Sequence, residues 1–102
     1  MEKTQLQQGD VWIESAVIPA GATTVVTKTL AEGEVTGHAH RIVEGDVEIL
    51  AHDGLRYLRV LSDKAVLAHE EHLDIVIPRG DYAFGQVYEY DYETEEARYV
   101  QD

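Results

Sequence analysis

The chain has 102 residues, enough for one hydrophobic core and too few for two, so we expect a single domain spanning residues 1–102. It contains no cysteine, which excludes disulfides, thiolate metal sites and a cysteine nucleophile, so any metal site would use histidine and carboxylate ligands. Twenty acidic residues against eight basic ones give a net charge of -12, which disfavours direct binding to nucleic acid or to anionic lipid.

The acidic composition leaves four interpretations open: solubility, adaptation to salt, a basic protein partner, or mimicry of nucleic acid towards a DNA-binding protein. The sequence has no apolar run approaching the ~20 residues that span a bilayer, and no secretory amino terminus. We therefore expect a soluble, cytoplasmic protein that contacts neither membranes nor nucleic acid.

The amino-terminal half of the chain predicts strands. Val11 and Ile13 alternate with polar or amphipathic neighbours, which predicts a strand that ends before a Pro-Ala-Gly turn at residues 19–21. Residues 22–30 are rich in threonine and valine, whose branched side chains favour a second strand. Strands at residues 35–42 and 47–51 follow, with a turn between them at residues 44–46.

The carboxyl-terminal half continues the same pattern. Asp53 and Gly54 stand between two alternating runs and predict a type I′ hairpin turn into a strand at residues 55–61. Further short strands are predicted at residues 65–68, 73–77 and 82–92, with turns at residues 62–64, 69–72 and 78–80. Roughly eight short strands without a helix predict an all-β fold, either a small antiparallel β-barrel or a double-sheet jelly roll.

A histidine pair provides the strongest functional signal. His38 and His40 are two residues apart in a predicted strand, so their side chains lie on the same face, and Glu44 follows them. Two imidazoles and a carboxylate suit a divalent transition metal such as zinc, manganese, iron or nickel. The pattern predicts a metal site without indicating a reaction.

The same residues resemble the first motif of the cupins, which contains a glycine, His-x-His and then a glutamate. The positions that match in this chain are Gly33, His38, His40 and Glu44. The second cupin motif contains Pro-x-Gly, matched by Pro78 and Gly80. Its opening glycine is replaced by His72, its metal-binding histidine by Ala83, and its asparagine by Val87.

The resemblance implies a jelly-roll scaffold whose interior is lined by His38, His40 and Glu44, and it leaves the usual fourth ligand missing. His72 could complete the set from the rim of the barrel, and Gln86 or Tyr88 could supply an oxygen. His69 and His72 are three residues apart in a predicted turn, so they do not form the helical His-Glu-x-x-His motif of zinc proteases. We therefore predict metal ligands at His38, His40, His72 and Glu44.

Tyrosine and acidic residues alternate at positions 88–93, which predicts a tyrosine row on one face of a strand. Such a row either covers the core or forms a subunit interface, and cupin-like proteins frequently dimerise, so we expect a homo-oligomer, most simply a dimer. Candidate acid and base groups around a metal are Tyr57, Tyr82, Tyr88 and Glu48.

Two hypotheses of function follow. In the first, a small cupin-like protein binds a divalent metal through its His-x-His pair and acts on or senses a small polar molecule, whether as an enzyme or as a sensor. In the second, the domain is a non-enzymatic acidic interaction module whose β-barrel binds a protein partner.

Overall fold

The computed structural model describes residues 4–32, 37–91 and 96–99. The described part of the chain contains ten strands: β1 (Gln5–Gln8), β2 (Val11–Ser15), β3 (Thr23–Val25), β4 (Thr29–Glu32), β5 (Ala39–Glu44), β6 (Val47–His52), β7 (Leu55–His69), β8 (His72–Gln86), β9 (Tyr88–Asp91) and β10 (Glu96–Tyr99). Within these ranges no helix is long and apolar enough to cross a membrane. The prediction of an all-β fold is confirmed.

The two long strands β7 and β8 form the centre of one antiparallel sheet of eight strands, which curls into a half-barrel. On the β8 side, β2 and then β1 extend the sheet. On the β7 side, β6 pairs with the first part of β7 and β5 with its last part. Each of these two strands carries one more, β3 on β6 and β4 on β5. Strands β9 and β10 form a separate two-stranded sheet.

The predicted turns at residues 62–64 and 78–80 are wrong, because the chain does not reverse there. Both segments lie inside continuous strands of 15 residues, and the register between β7 and β8 shifts where they face each other. The break between β5 and β6 lies beside residues 62–64 of β7, since the amide of Leu61 donates to the carbonyl of Asp46. Turn-forming residues therefore mark a line along which the sheet bends.

The predicted strand at residues 22–30 is interrupted by the same bend. It divides into β3 and β4, which pair with different strands, and Val26 between them is fully exposed. The predicted strand at residues 82–92 is likewise divided, at Val87. The predicted hairpin turn at Asp53 and Gly54 is confirmed, because the two residues have the positive φ angles, 49° and 78°, that a type I′ turn requires. The predicted turn at residues 69–72 is confirmed and forms a second hairpin, in which His69 pairs with His72.

The hydrophobic core lies on the inner face of the bent sheet. Every second side chain of a strand points to this face. The apolar residues packed there include Ile13, Leu30, Ile42, Ile49, Leu58, Leu67, Ile77 and Phe84. Two features of the sequence analysis lie outside the described residues, namely Gly33 and the side chains of the tyrosine row.

Candidate functional site

Four of the five histidines converge at the end of the β7–β8 hairpin. The His69 ring lies at the centre of the group, with ring centroids 4.3 Å from His40, 4.7 Å from His72 and 5.7 Å from His38. The two histidine pairs of the sequence therefore meet. We call these four side chains the histidine cluster.

Strand pairing explains why the cluster forms. β5 lies beside the last part of β7, with Arg41 paired with Ala68, so His40 and His69 occupy neighbouring positions in adjacent strands. The hairpin turn then places His72 opposite His69. His38 lies just before β5, at the more open side of the cluster, where its side chain is 24% exposed.

His40 is fully buried and both of its ring nitrogens are engaged. Nδ1 lies 2.8 Å from Oε1 of Gln8, and Nε2 lies 3.1 Å from Oδ1 of Asp10. The amide of Gln8 has a defined orientation, because its Nε2 donates to the backbone carbonyls of Leu67 and Leu73, both at 2.9 Å. Gln8 therefore presents an acceptor, and His40 Nδ1 must be the donor.

The second contact of His40 is with a buried carboxyl group. Asp10 is 2% exposed, and its other oxygen accepts a hydrogen bond of 3.0 Å from Gln86 Nε2. Nε2 of His40 and the carboxyl group of Asp10 therefore share a hydrogen bond, in addition to the one between Nδ1 and Gln8. The histidine cluster contains a buried, hydrogen-bonded pair of titratable groups at its inner end.

Glu70 faces the open side of the cluster from the hairpin turn. Its Oε1 accepts the amide N–H of Ala39 at 2.8 Å, and its Oε2 lies 3.5 Å from the Arg41 guanidinium. The hydrogen bonds from the backbone amides of Ala39 and of Glu70 itself, followed by the charges of Arg41 and His38, lower the pKa of this carboxyl group. Glu70 is therefore held as a carboxylate beside His38.

Three side chains present potential metal ligand atoms to one another. One ligand atom each from His38, His69 and Glu70 lies within 4.8 Å of the other two, and the group runs from buried His69 to exposed Glu70. Two imidazole nitrogens and a carboxylate oxygen are a donor set that suits zinc and related divalent metals. The residues present therefore fit a metal ion. His69 Nδ1, however, accepts the amide N–H of Glu71 at 3.0 Å.

Comparison with known proteins gives a family but no activity. The sequence profile of one protein family, a domain of unknown function (DUF8820), matches residues 7–86, more than half of the chain. The chain belongs to the DUF8820 family. No curated protein and no solved structure matches it. The matched range of this DUF8820 domain contains the whole histidine cluster together with Gln8, Asp10 and Glu70.

The predicted ligands occupy different positions in the DUF8820 domain. His38 lies at the open side of the cluster, whereas both ring nitrogens of His40 face Gln8 and Asp10. His72 packs against His69, and within the described residues its buried Nε2 has no hydrogen-bond partner. Glu44 is exposed at the opposite end of β5, about 13 Å along the strand from His40, so the fold does not bring it into the cluster.

The other oxygen donors considered for the site have different neighbours. Gln86 turns its amide nitrogen towards Asp10 and towards the Glu32 carbonyl at 3.4 Å, so its polar group belongs to the network around His40. The Tyr88 side chain lies outside the described residues.

The candidate acid and base groups lie beyond the bend from the histidine cluster. Tyr57 and Tyr82 are buried where β7 and β8 pair near β2 and β6, and the Tyr82 hydroxyl donates to the Pro78 carbonyl at 2.7 Å. Glu48, on β6, has a carboxylate 3.9 Å from the Arg59 guanidinium. In the described part of the DUF8820 domain these groups take part in the fold and not in the cluster.

The predicted ligand set omitted His69, and sequence reasoning missed three further residues of this site. Gln8 and Asp10 lie about 30 positions from His40 along the chain, and Glu70 lies in a turn rich in acidic residues. No local pattern distinguishes these three from the many other polar residues of the chain. Only the pairing of β5 with β7 and the curl of the sheet bring them to the histidines.

Proposed function

We propose that this DUF8820 domain binds a divalent transition-metal ion, of the zinc, manganese, iron or nickel class, through His38, His69 and Glu70. The observation that carries the proposal is the approach of the three ligand atoms to within 4.8 Å of one another. A site with three protein ligands leaves a coordination position open for water or for a small polar or anionic molecule. The proposal keeps His38 from the sequence-based ligand set and replaces His40, His72 and Glu44.

In this proposal His40 packs against the ligand His69 and does not bind the metal itself. Its ring lies 4.3 Å from the His69 ring, and Gln8 and Asp10 fix its orientation. A metal ligand needs a ring nitrogen that can face the metal, and both ring nitrogens of His40 face Gln8 and Asp10, so His40 is assigned to the supporting layer and not to the ligand set. The cupin-like jelly roll remains part of the proposal, supported by the half-barrel and by the inward-facing histidine of the His-x-His strand.

Metal binding must break one hydrogen bond of the site, and the loss of that bond can be measured. If the metal binds His69 Nδ1, it displaces the amide N–H of Glu71 from that lone pair. If the metal binds Nε2, the ring proton must move to Nδ1, which then faces the same N–H as a second donor. Either way the hydrogen bond from Glu71 to His69 breaks, so metal uptake must rearrange the turn at residues 69–72.

The test is a titration of the metal-free protein with zinc, nickel, manganese and iron(II), read by calorimetry and by amide NMR spectra. We expect about one metal ion per chain, and faster hydrogen exchange at the Glu71 amide once it is bound, because that amide loses its acceptor. Substitution of His38→Ala or Glu70→Gln should weaken binding by about tenfold or more, in line with the loss of one of three ligands.

Two variants serve as matched controls. His52→Ala removes the histidine outside the cluster, and Glu44→Gln removes an exposed carboxylate at the far end of β5 with the same change in net charge as Glu70→Gln. Both should bind metal as the wild type does. Equal affinity in His38→Ala, Glu70→Gln and wild type, or the absence of binding by all four metals, would overturn the proposal.

A further inference from the structure

We infer that the outer face of the β1–β2 ribbon is a docking surface for an arginine or lysine side chain carried by a basic, extended polypeptide segment. Strand register places four side chains on this face: Gln5 pairs with Glu14 and Gln7 with Trp12. They line a shallow, open groove of about 280 Å³ together with Leu6 and Ile13. This volume suits a single long side chain. The inference does not depend on the metal site.

Trp12 provides the aromatic platform of the groove. It pairs with Gly85 in β8, and a Cβ atom added at Gly85 would lie 2.7 Å from the indole ring, so the ring rests directly on the backbone there. The ring is only half-buried in this position. A tryptophan ring is the aromatic surface on which a guanidinium or ammonium group is held best. Its fixed position means that little conformational freedom is lost when a ligand stacks on it.

Glu14 provides the negative charge beside that platform. It lies two residues from Trp12 on the same face, and within the described residues its carboxylate forms no hydrogen bond or ion pair. Other carboxylates of the sheet, such as Glu48 and Asp81, face arginines of this chain. The groove therefore offers a partly buried carboxylate that no cation of the described chain neutralises.

The position of β1 favours an extended partner. β1 is the end strand of the main sheet, and in the described part of the chain it pairs with β2 alone. Its outer edge presents backbone donors and acceptors to which another strand can add. A side chain on an added strand, facing the same way as Gln7, would lie on the same face of the sheet as Trp12.

The net charge of the chain favours a basic partner. The chain carries a net charge of -12, so a second copy would be repelled, whereas a basic segment would be attracted over a long range. The combination of a tryptophan ring, a free carboxylate and an acidic surface thus specifies a cationic side chain and not a neutral or acidic one.

The test uses a short fluorescently labelled peptide of alternating arginine and valine, with a control peptide in which glutamine replaces arginine. Binding is followed by anisotropy and by the emission of Trp12, the only tryptophan of the chain. We expect saturable binding of the arginine peptide with a change in Trp12 emission. The Glu14→Gln variant should bind about fivefold more weakly, as expected for a partly exposed ion pair beside a cation–π contact.

The matched control is Glu44→Gln, which makes the same change in net charge on the other half of the sheet. Affinity that falls equally in Glu14→Gln and Glu44→Gln would show unspecific attraction and overturn the inference. Binding without any change in Trp12 emission would overturn it as well. Equal binding of the glutamine peptide would overturn the inference. A Trp12 response to neutral oligosaccharides and not to the arginine peptide would also overturn it.

Discussion

At the scale of single residues, Asp10 and His40 form a buried, hydrogen-bonded pair of titratable groups. Removing one partner of such a pair leaves the other buried group without compensation. We expect Asp10→Asn to lower the free energy of unfolding by about 3–5 kcal/mol, measured by urea denaturation. Asp81→Asn is the matched control, because Asp81 faces Arg59 at a partly exposed site.

Asp81→Asn should cost no more than about 1 kcal/mol, since exposed ion pairs contribute little. A similar loss of stability in the two variants would show that the buried contact between Asp10 and His40 contributes no more than an exposed one. The comparison is informative because both substitutions exchange the same two residue types.

Tyr82 predicts an alkaline limit to stability. Burial of its phenol raises its pKa, so in the folded state the hydroxyl keeps its proton at a pH at which the unfolded chain has lost it. The stabilisation is therefore complete below the unfolded pKa and is lost as the pH rises above about 10.

The Tyr82→Phe variant tests this expectation. At neutral pH it should be less stable than the wild type by about 1 kcal/mol, because the hydrogen bond to the Pro78 carbonyl is lost. This deficit should shrink as the pH rises past about 10, because phenylalanine cannot ionise. Parallel stability curves from pH 7 to pH 11 would show that Tyr82 has no part in the alkaline limit.

At the scale of elements, the bend of the sheet depends on Gly45 between β5 and β6. Gly45 has a φ of 102°, and a Cβ atom there would lie 2.5 Å from the backbone oxygen of Lys64 in β7. Both the conformation and the space require glycine. We expect Gly45→Ala to lower the free energy of unfolding by about 2–5 kcal/mol in urea denaturation.

Gly54→Ala separates the two causes. Gly54 also has a positive φ, 78°, but nothing lies within 4 Å of the position that its Cβ would take. This variant should lose only about 1–2 kcal/mol, the cost of the left-handed conformation alone. Equal losses in both variants would mean that close packing at the bend contributes nothing.

The bend is also the feature of the strands that local sequence patterns do not predict. Alternation predicted most residues of β7 and β8 as strand, and the Asp53-Gly54 turn was predicted with its conformation. Pro78 and Gly80 indicated an interruption, but the same residues suit a chain reversal and a bend in a continuous strand. The choice between the two depends on the neighbouring strand, which a local pattern does not contain.

At the scale of the whole molecule, the net charge of -12 predicts a dependence of stability on salt. Repulsion among twenty acidic residues destabilises the compact state, and salt screens it over a distance that falls from about 30 Å at 0.01 M to about 3 Å at 1 M. We expect the urea midpoint to rise with sodium chloride at pH 7. The rise should disappear near the sequence pI of about 4.6.

A midpoint that falls with salt at pH 7 would show that attraction within ion pairs outweighs the repulsion. A fall would also exclude adaptation to salt as the reason for the acidic composition, because that adaptation requires the rise. Homo-oligomerisation and a cytoplasmic location stay predictions at this scale.

The sequence by itself determined the class of the fold, the antiparallel strands, the Asp53-Gly54 hairpin turn and the type of ligand that a site could contain, because these follow from alternation, turn residues and composition. Only the tertiary structure decided which polar residues meet. Asp10, His40 and His69 are far apart in sequence, and the pairing of β5 with β7 and the curl of the sheet bring them together. Local patterns specify strands, whereas a site is made by contacts between strands, which depend on the packing of the whole chain.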